Sequence, residues 1–274
     1  MGCPMRRKVL ACAVGIAILA TGCRQLERLS IVKPSAARGD YTQVAPTYEV
    51  SDKGRKGAPV GVAQLLAKSM ELYRAGELDL AEKQARQALK ADARSGDAHT
   101  LLAAIATARG NAAEAGRHYQ QAVAIAPGSG AYANNYGTWL CSNARVAESL
   151  EWFDTALADP GYPTRTAALG NAGTCANKAG QGDRAEANWR QALAIDPTEM
   201  QSLAGMAGLQ FAQGHYLEAR AFAERWLALS PSDPEGLRIA SQIELKLGDT
   251  AASTRYLHRL QALPPGAHDA SRTQ

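Results

Sequence analysis

Aromatic residues make up only 6% of this 274-residue chain, and beyond its first ten residues neither sign of charge is concentrated anywhere in it. Lys and Arg are interspersed with Asp and Glu throughout, so the concentrated basic stripe that a phosphate-tracking surface needs is missing, and nucleic acid is excluded as a partner. The chain has no Gly-rich loop ending in Lys and Ser/Thr, no Gly-x-Ser-x-Gly elbow and no Cys-x-x-Cys pair. His99, His118, His215, His258 and His268 are spread along the sequence without the close pairing that metal ligation needs, so no metal site is expected. Acidic residues such as Glu148, Glu151 and Asp154 fall at ordinary spacing on a solvated helix face. These absences point away from an enzyme, a cofactor or a small-molecule substrate. What the chain has instead is 46% hydrophobic content rich in alanine, enough to bury a continuous core of small residues in one elongated domain.

A unit of about thirty-four residues recurs six times, marked by Gly76, Gly110, Ala144, Gly180, Gly214 and Gly248. The steps between markers are 34, 34, 36, 34 and 34 residues, so one junction holds two extra residues. Five residues after each marker stands Ala81, Ala115, Ser149, Ala185, Ala219 or Ser253, a slot where a small side chain lets two helices approach closely. Twelve residues after it stands Ala88, Ala122, Ala156 or Ala192, with Trp226 and Leu260 in the last two units, and Tyr119, Phe153, Trp189 and Leu257 lie between the slots as core plugs. Pro127, Pro160, Pro197, Pro231 and Pro265 stop the helices, since proline cannot continue one and biases its predecessor away from it. The spacing predicts six helical hairpins over residues 62–265. It resembles the tetratricopeptide repeat, which implies an all-α, right-handed superhelical solenoid.

The first twenty-two residues read as a signal peptide: Arg6, Arg7 and Lys8, an apolar run from Val9 to Ala20, then Thr21, Gly22 and Cys23. The run is too short to span a bilayer. Met5 is an alternative start. Small residues before a cysteine look like a bacterial lipobox, in which Cys23 takes the lipid; the alternative is a plain secretory signal cut nearby. Formal net charge is +4, and removing the leader with its three cations leaves about +1. Residues 23–61, with Pro34, Pro46, Pro59, Gly39, Gly54 and Gly57, read as a flexible tether with a reach of roughly 35 Å, or as an extension folded onto the first repeat. Residues 266–274 read as a disordered tail.

Cys141 and Cys175 fall on the first helices of neighbouring repeats. In an oxidising compartment a bridge between them is expected, the alternative being two buried thiols. In tetratricopeptide repeats the first helices line the concave face, which puts Leu66, Met70 and Tyr73 of repeat one in the groove as a partner-binding row, unless the tether or the missing N-terminal cap accounts for them. Asn134, Asn135 and Asn171 offer carboxamides to the same groove, where they either hold an extended peptide or brace the stack.

The run Asn135, Tyr136, Gly137, Trp139, Leu140, Cys141, followed by Phe153, Ala156, Pro160, Tyr162 and then Asn171, Ala172, Gly173, Cys175, resembles the type IV pilus biogenesis and stability lipoproteins called PilF or PilW. The resemblance implies a pilotin: an outer-membrane lipoprotein, facing the periplasm, that binds secretin subunits and promotes their delivery and multimerisation. Arg24, standing where an aspartate commonly signals inner-membrane retention, agrees with the outer membrane. A general lipid-anchored periplasmic scaffold for envelope assembly is the alternative, because fold alone does not fix function.

Overall fold

The computed structural model describes residues 60–264, which form twelve α-helices and, among the described residues, no strand. The leader, Cys23, the tether, Pro265 and the tail lie outside the described residues. The helices pair as six hairpins: α1 (Val60–Arg74) with α2 (Leu78–Ala91), α3 (Gly96–Ala108) with α4 (Ala112–Ile125), α5 (Gly130–Ser142) with α6 (Val146–Ala158), α7 (Arg165–Lys178) with α8 (Gly182–Ile195), α9 (Met200–Ala212) with α10 (Tyr216–Leu229), and α11 (Pro234–Leu247) with α12 (Thr250–Gln261).

Each hairpin turns on one left-handed residue. Gly76, Gly110, Gly180, Gly214 and Gly248 have φ of +78°, +74°, +72°, +82° and +86°, a region open to glycine because it has no Cβ. At Gly76 the glycine amide donates to the Tyr73 carbonyl (3.0 Å) and the next amide, of Glu77, to the Leu72 carbonyl (2.9 Å). This Schellman pattern satisfies the carbonyls that the helix end leaves open. The same pair of bonds recurs at Gly110, Gly180, Gly214 and Gly248. In the third hairpin Ala144 takes the position at φ +62°, and Arg145 still donates to the Leu140 carbonyl at 2.9 Å. The marker pattern in the sequence is therefore a backbone requirement that Ala144 meets under strain.

Beyond the turn, the small slot is occupied as expected: Ala81, Ala115, Ser149, Ala185 and Ala219 are completely buried, and Ser253 nearly so. Tyr119, Phe153 and Trp189 are buried plugs. Trp189 shows how they work: a Cβ added to Gly173 on α7 or to Gly205 on α9 would meet its ring at 2.5 or 2.4 Å. A plug thus fills the space between the first helix of its own repeat and that of the next. Leu257, expected to plug the last repeat, is instead 42% exposed, because no following first helix covers it among the described residues.

First helices of successive repeats pack directly on one another, while successive second helices are linked by ion pairs such as Arg86–Glu114 (3.5 Å) and Arg184–Asp154 (2.7 Å). The first helices accordingly form the inner row. The two extra residues of the irregular junction fall between α6 and α7, in residues 159–164, where the other inter-repeat loops have four. That loop carries Tyr162 into the core beside α5, so close that a Cβ on Gly130 would meet the Tyr162 Cβ at 2.7 Å. Asp159 from the same loop accepts from the Gly130 amide at 2.8 Å and caps the start of α5. The insertion is used as packing and as a cap.

Relieving the left-handed alanine gains stability. Ala144→Gly is expected to raise the unfolding free energy by about 0.5–1 kcal/mol, the relief of αL strain less the entropy of the added glycine, and Gly110→Ala to lower it by about 1 kcal/mol. Denaturant titration checks both. A destabilised Ala144→Gly protein contradicts the turn analysis.

Candidate protein-docking surface

The inner row is not an open trough along its whole length. In α5 every residue from Gly130 to Thr138 is buried, walled by α3, α4, α6 and α7. Asn134 and Asn135 are 1% and 2% exposed, so neither presents a carboxamide to a peptide in solution. Asn171, half-buried on α7, donates through Nδ2 to Asn134 Oδ1 (3.1 Å) and Thr138 Oγ1 (3.3 Å). Gln201 on α9 donates to Asn171 Oδ1 (3.3 Å) and Thr174 Oγ1 (2.8 Å). These side chains form a polar ladder across three successive first helices. Of the two roles open to the asparagines, these bonds place Asn134 and Asn171 in the brace: each bond contributes about 1 kcal/mol net, and leaving a buried partner unpaired costs about 1–3 kcal/mol. Asn134, and not its neighbour Asn135, is the residue that accepts from Asn171.

Cys141 and Cys175 are joined as a disulfide between α5 and α7, with Cα atoms 5.9 Å apart and both residues buried. The bridge lies about two turns along α5 from the Asn134–Asn171 bond, so the same two helices are clipped at two heights, once by a hydrogen bond and once covalently.

Repeat one differs from the expectation. Leu66 is 6% exposed and packs with Val62, Ala85, Ala88, Ala98, Leu101 and Leu102. Val62, Leu66 and the buried Ser69 fall at helical spacing and face α2 and α3, so the apolar stripe of α1 is core and not a solvent-facing row. Met70 and Tyr73 are half-buried, Met70 against the same cluster. Glutamate at Leu66 therefore disrupts folding before it disturbs docking.

Large apolar side chains do reach solvent elsewhere. Leu80, Ile195, Met200, Leu217, Leu229, Leu245 and Leu257 are each at least 40% exposed, and all but Leu80 lie between residues 195 and 257. The exposed apolar surface is thus concentrated toward the C-terminal hairpins. A sequence signal existed: Ile195 and Leu229 stand at the same point after Gly180 and Gly214, one repeat apart, past the last slot that the hairpin needs for its core.

The chemistry of the remaining candidates is limited. Glu148, Glu151 and Asp154 are exposed, and Glu148 and Asp154 make ordinary surface pairs with Arg145 (2.8 Å) and Arg184 (2.7 Å). His99 and His118, in contrast to the sequence expectation of no close pairing, come together across the second hairpin with their Nδ1 atoms 3.0 Å apart. Burial holds both imidazoles below the ordinary histidine pKa. At His99 the neighbouring His118 adds to the effect; at His118, Glu114 and Glu82 oppose it while Arg86 and Arg117 reinforce it. No group of three or more potential metal ligands occurs among the described residues. No helix among them is long and apolar enough to cross a membrane.

Residues 66–130 and 176–243 match tetratricopeptide-repeat family patterns. The type IV pilus assembly protein PilF of Pseudomonas aeruginosa is 27% identical over 221 residues, covering 79% of this chain and 85% of its own length. The crystal structure of PilW, a widely conserved type IV pilus biogenesis factor, superposes with a TM-score of 0.72 at 29% identity, over 79% of this chain and all of that one. The structure of P. aeruginosa PilF gives 0.71 at 21% identity, over 80% of this chain and all of that one, which supports the fold.

The bridge predicts a measurable stability difference. Its 34-residue separation limits the unfolded chain enough to contribute about 3–4 kcal/mol, so the Cys141→Ala, Cys175→Ala double variant should unfold at correspondingly lower denaturant than the wild type. Equal midpoints, or no mass increase of about 2 Da when protein isolated from the envelope is unfolded and reduced, contradict the bridge.

Proposed function

We propose, for a chain that belongs to the PilF/PilW-type family of tetratricopeptide-repeat pilus-biogenesis proteins, the work of a pilotin. In this reading Cys23 carries the lipid, the protein sits on the periplasmic side of the outer membrane, and the solenoid docks secretin subunits and promotes their delivery and multimerisation. The observation that carries the proposal is the match over nearly four-fifths of the chain to pilus-assembly proteins, together with a lipobox-like stretch ending at Cys23 ahead of the repeats.

The physical logic is confinement. A lipidated cysteine with more than one acyl chain makes detachment from the bilayer slow. A binding module on a short flexible tether meets membrane-bound partners at an effective concentration of up to about the millimolar range. Contacts of modest affinity then suffice to hold a subunit while a ring assembles. The rigid middle of the solenoid, clipped by the disulfide and the polar ladder, holds the hairpins in place. The exposed apolar side chains between Ile195 and Leu257 provide a surface for burial against a partner.

The anchor is the part most open to direct attack. Cys23→Ser should leave the solenoid folded while lowering assembled, outer-membrane secretin multimers several-fold, as read on gels of unboiled envelope fractions. Normal multimer levels in the outer membrane with the serine variant contradict the proposed role.

A further inference from the structure

Away from the exposed apolar surface, one pair of side chains converges as metal ligands do. His99 lies in the first turn of α3 and His118 midway along α4, with ring centroids 5.3 Å apart and planes inclined by 43°. Their Nδ1 atoms are 3.0 Å apart. As a hydrogen bond this uses one Nδ1–H and one lone pair. The same separation suits a shared ion: with metal–nitrogen bonds of about 2.0 Å, two nitrogens so placed subtend about 97° at the metal. That is nearer the cis angle of a tetragonal site than the tetrahedral angle, which favours copper(II) over zinc(II), as does the general order of divalent affinities.

A second observation concerns the far side of one ring. Glu114 stands one turn before His118 on α4, with Oε1 4.0 Å from His118 Nε2. Its other carboxylate oxygen accepts from Asn111 Nδ2 at 2.8 Å, which fixes its position. At that distance Glu114 is not hydrogen-bonded to the ring, and its Oε1 also faces Arg86 Nη2 at 3.5 Å, but its negative charge beside Nε2 favours the tautomer with the proton there, leaving Nδ1 as a lone pair. Glu82 adds negative charge from α2, while Arg86 on α2 and Arg117 on α4 oppose a cation and set a limit on affinity.

We propose that His99 and His118 form a bis-histidine site for a divalent transition-metal ion, copper(II) ahead of zinc(II), with Glu114 favouring that tautomer of His118 and water completing the coordination shell. The ion binds both rings as neutral ligands. The single Nδ1 proton they share moves through solvent to Nε2 of the same ring, and no electron is transferred. Bound in this way, the ion ties α3 to α4 and stiffens the second hairpin.

The test uses the full chain without a histidine tag, stripped with EDTA and titrated with copper(II) chloride and zinc(II) chloride at neutral pH. Calorimetry should show one saturable copper site with a dissociation constant on the order of micromolar and weaker zinc binding, and electron paramagnetic resonance should show imidazole nitrogen coupling. His99→Gln and His118→Gln should each weaken copper at least about tenfold and Glu114→Gln about tenfold, whereas His258→Gln leaves it unchanged. Copper should also raise the melting temperature of the wild type and not that of His99→Gln, whose fold is checked by circular dichroism. Lack of saturable binding to the wild type, or equal copper affinity in a folded His99→Gln protein, overturns the proposal.

Discussion

One left-handed residue after each first helix is the constraint on which the stack depends. The chain must reverse within a few residues so that the second helix returns along the first, and a residue with positive φ closes the Schellman turn that does this. The close approach that follows leaves room only for alanine or serine five residues on. Nine residues on, the second, third and fourth repeats carry an aromatic plug, and Trp189 reaches past its own hairpin into the next one, between Gly173 and Gly205. Turn, slot and plug are successive consequences of a single backbone geometry, and their repetition stacks six hairpins on a series of buried apolar clusters.

The third and fourth repeats break the pattern and are also the most heavily cross-linked. Ala144 replaces glycine there, the following loop is two residues longer, and α5 is buried almost throughout. At the same place the inserted loop supplies Tyr162 and Asp159, the Asn134–Asn171–Gln201 ladder ties three first helices together, and Cys141 is bonded to Cys175. Covalent and polar links stand where the regular repeat is least regular. Their cost is access: a first helix held this tightly has no face left for a ligand, and the exposed apolar side chains lie further along, toward the C-terminal hairpins.

Much of this was legible in the sequence. The 34-residue step gave the number of hairpins and the identity of their turn residues, and the small slots and most of the plugs followed from the same register. The docking residues were less legible, because helical spacing reports which side chains share a face and not which neighbour covers that face. Leu66 and Asn134 both lie on first helices, yet the neighbouring repeat buries each of them. Leu257 failed for the opposite reason, as no further first helix covers its plug position among the described residues. The His99–His118 contact was missed because nineteen residues of sequence conceal a distance of 3.0 Å once the hairpin closes.

In the proposed role, the repeat array, held near a membrane through Cys23, recognises the subunits of a pilus secretin. Similarity to the pilus-assembly proteins PilF and PilW over nearly four-fifths of the chain, and the disulfide-clipped middle of the solenoid, support that role. The most direct measurement is affinity capture on the full-length protein from detergent-solubilised envelopes, with recovered proteins quantified by mass spectrometry. The type IV pilus secretin is expected as the dominant partner. Recovery of cell-wall machinery in its place, with the secretin at background level, contradicts it.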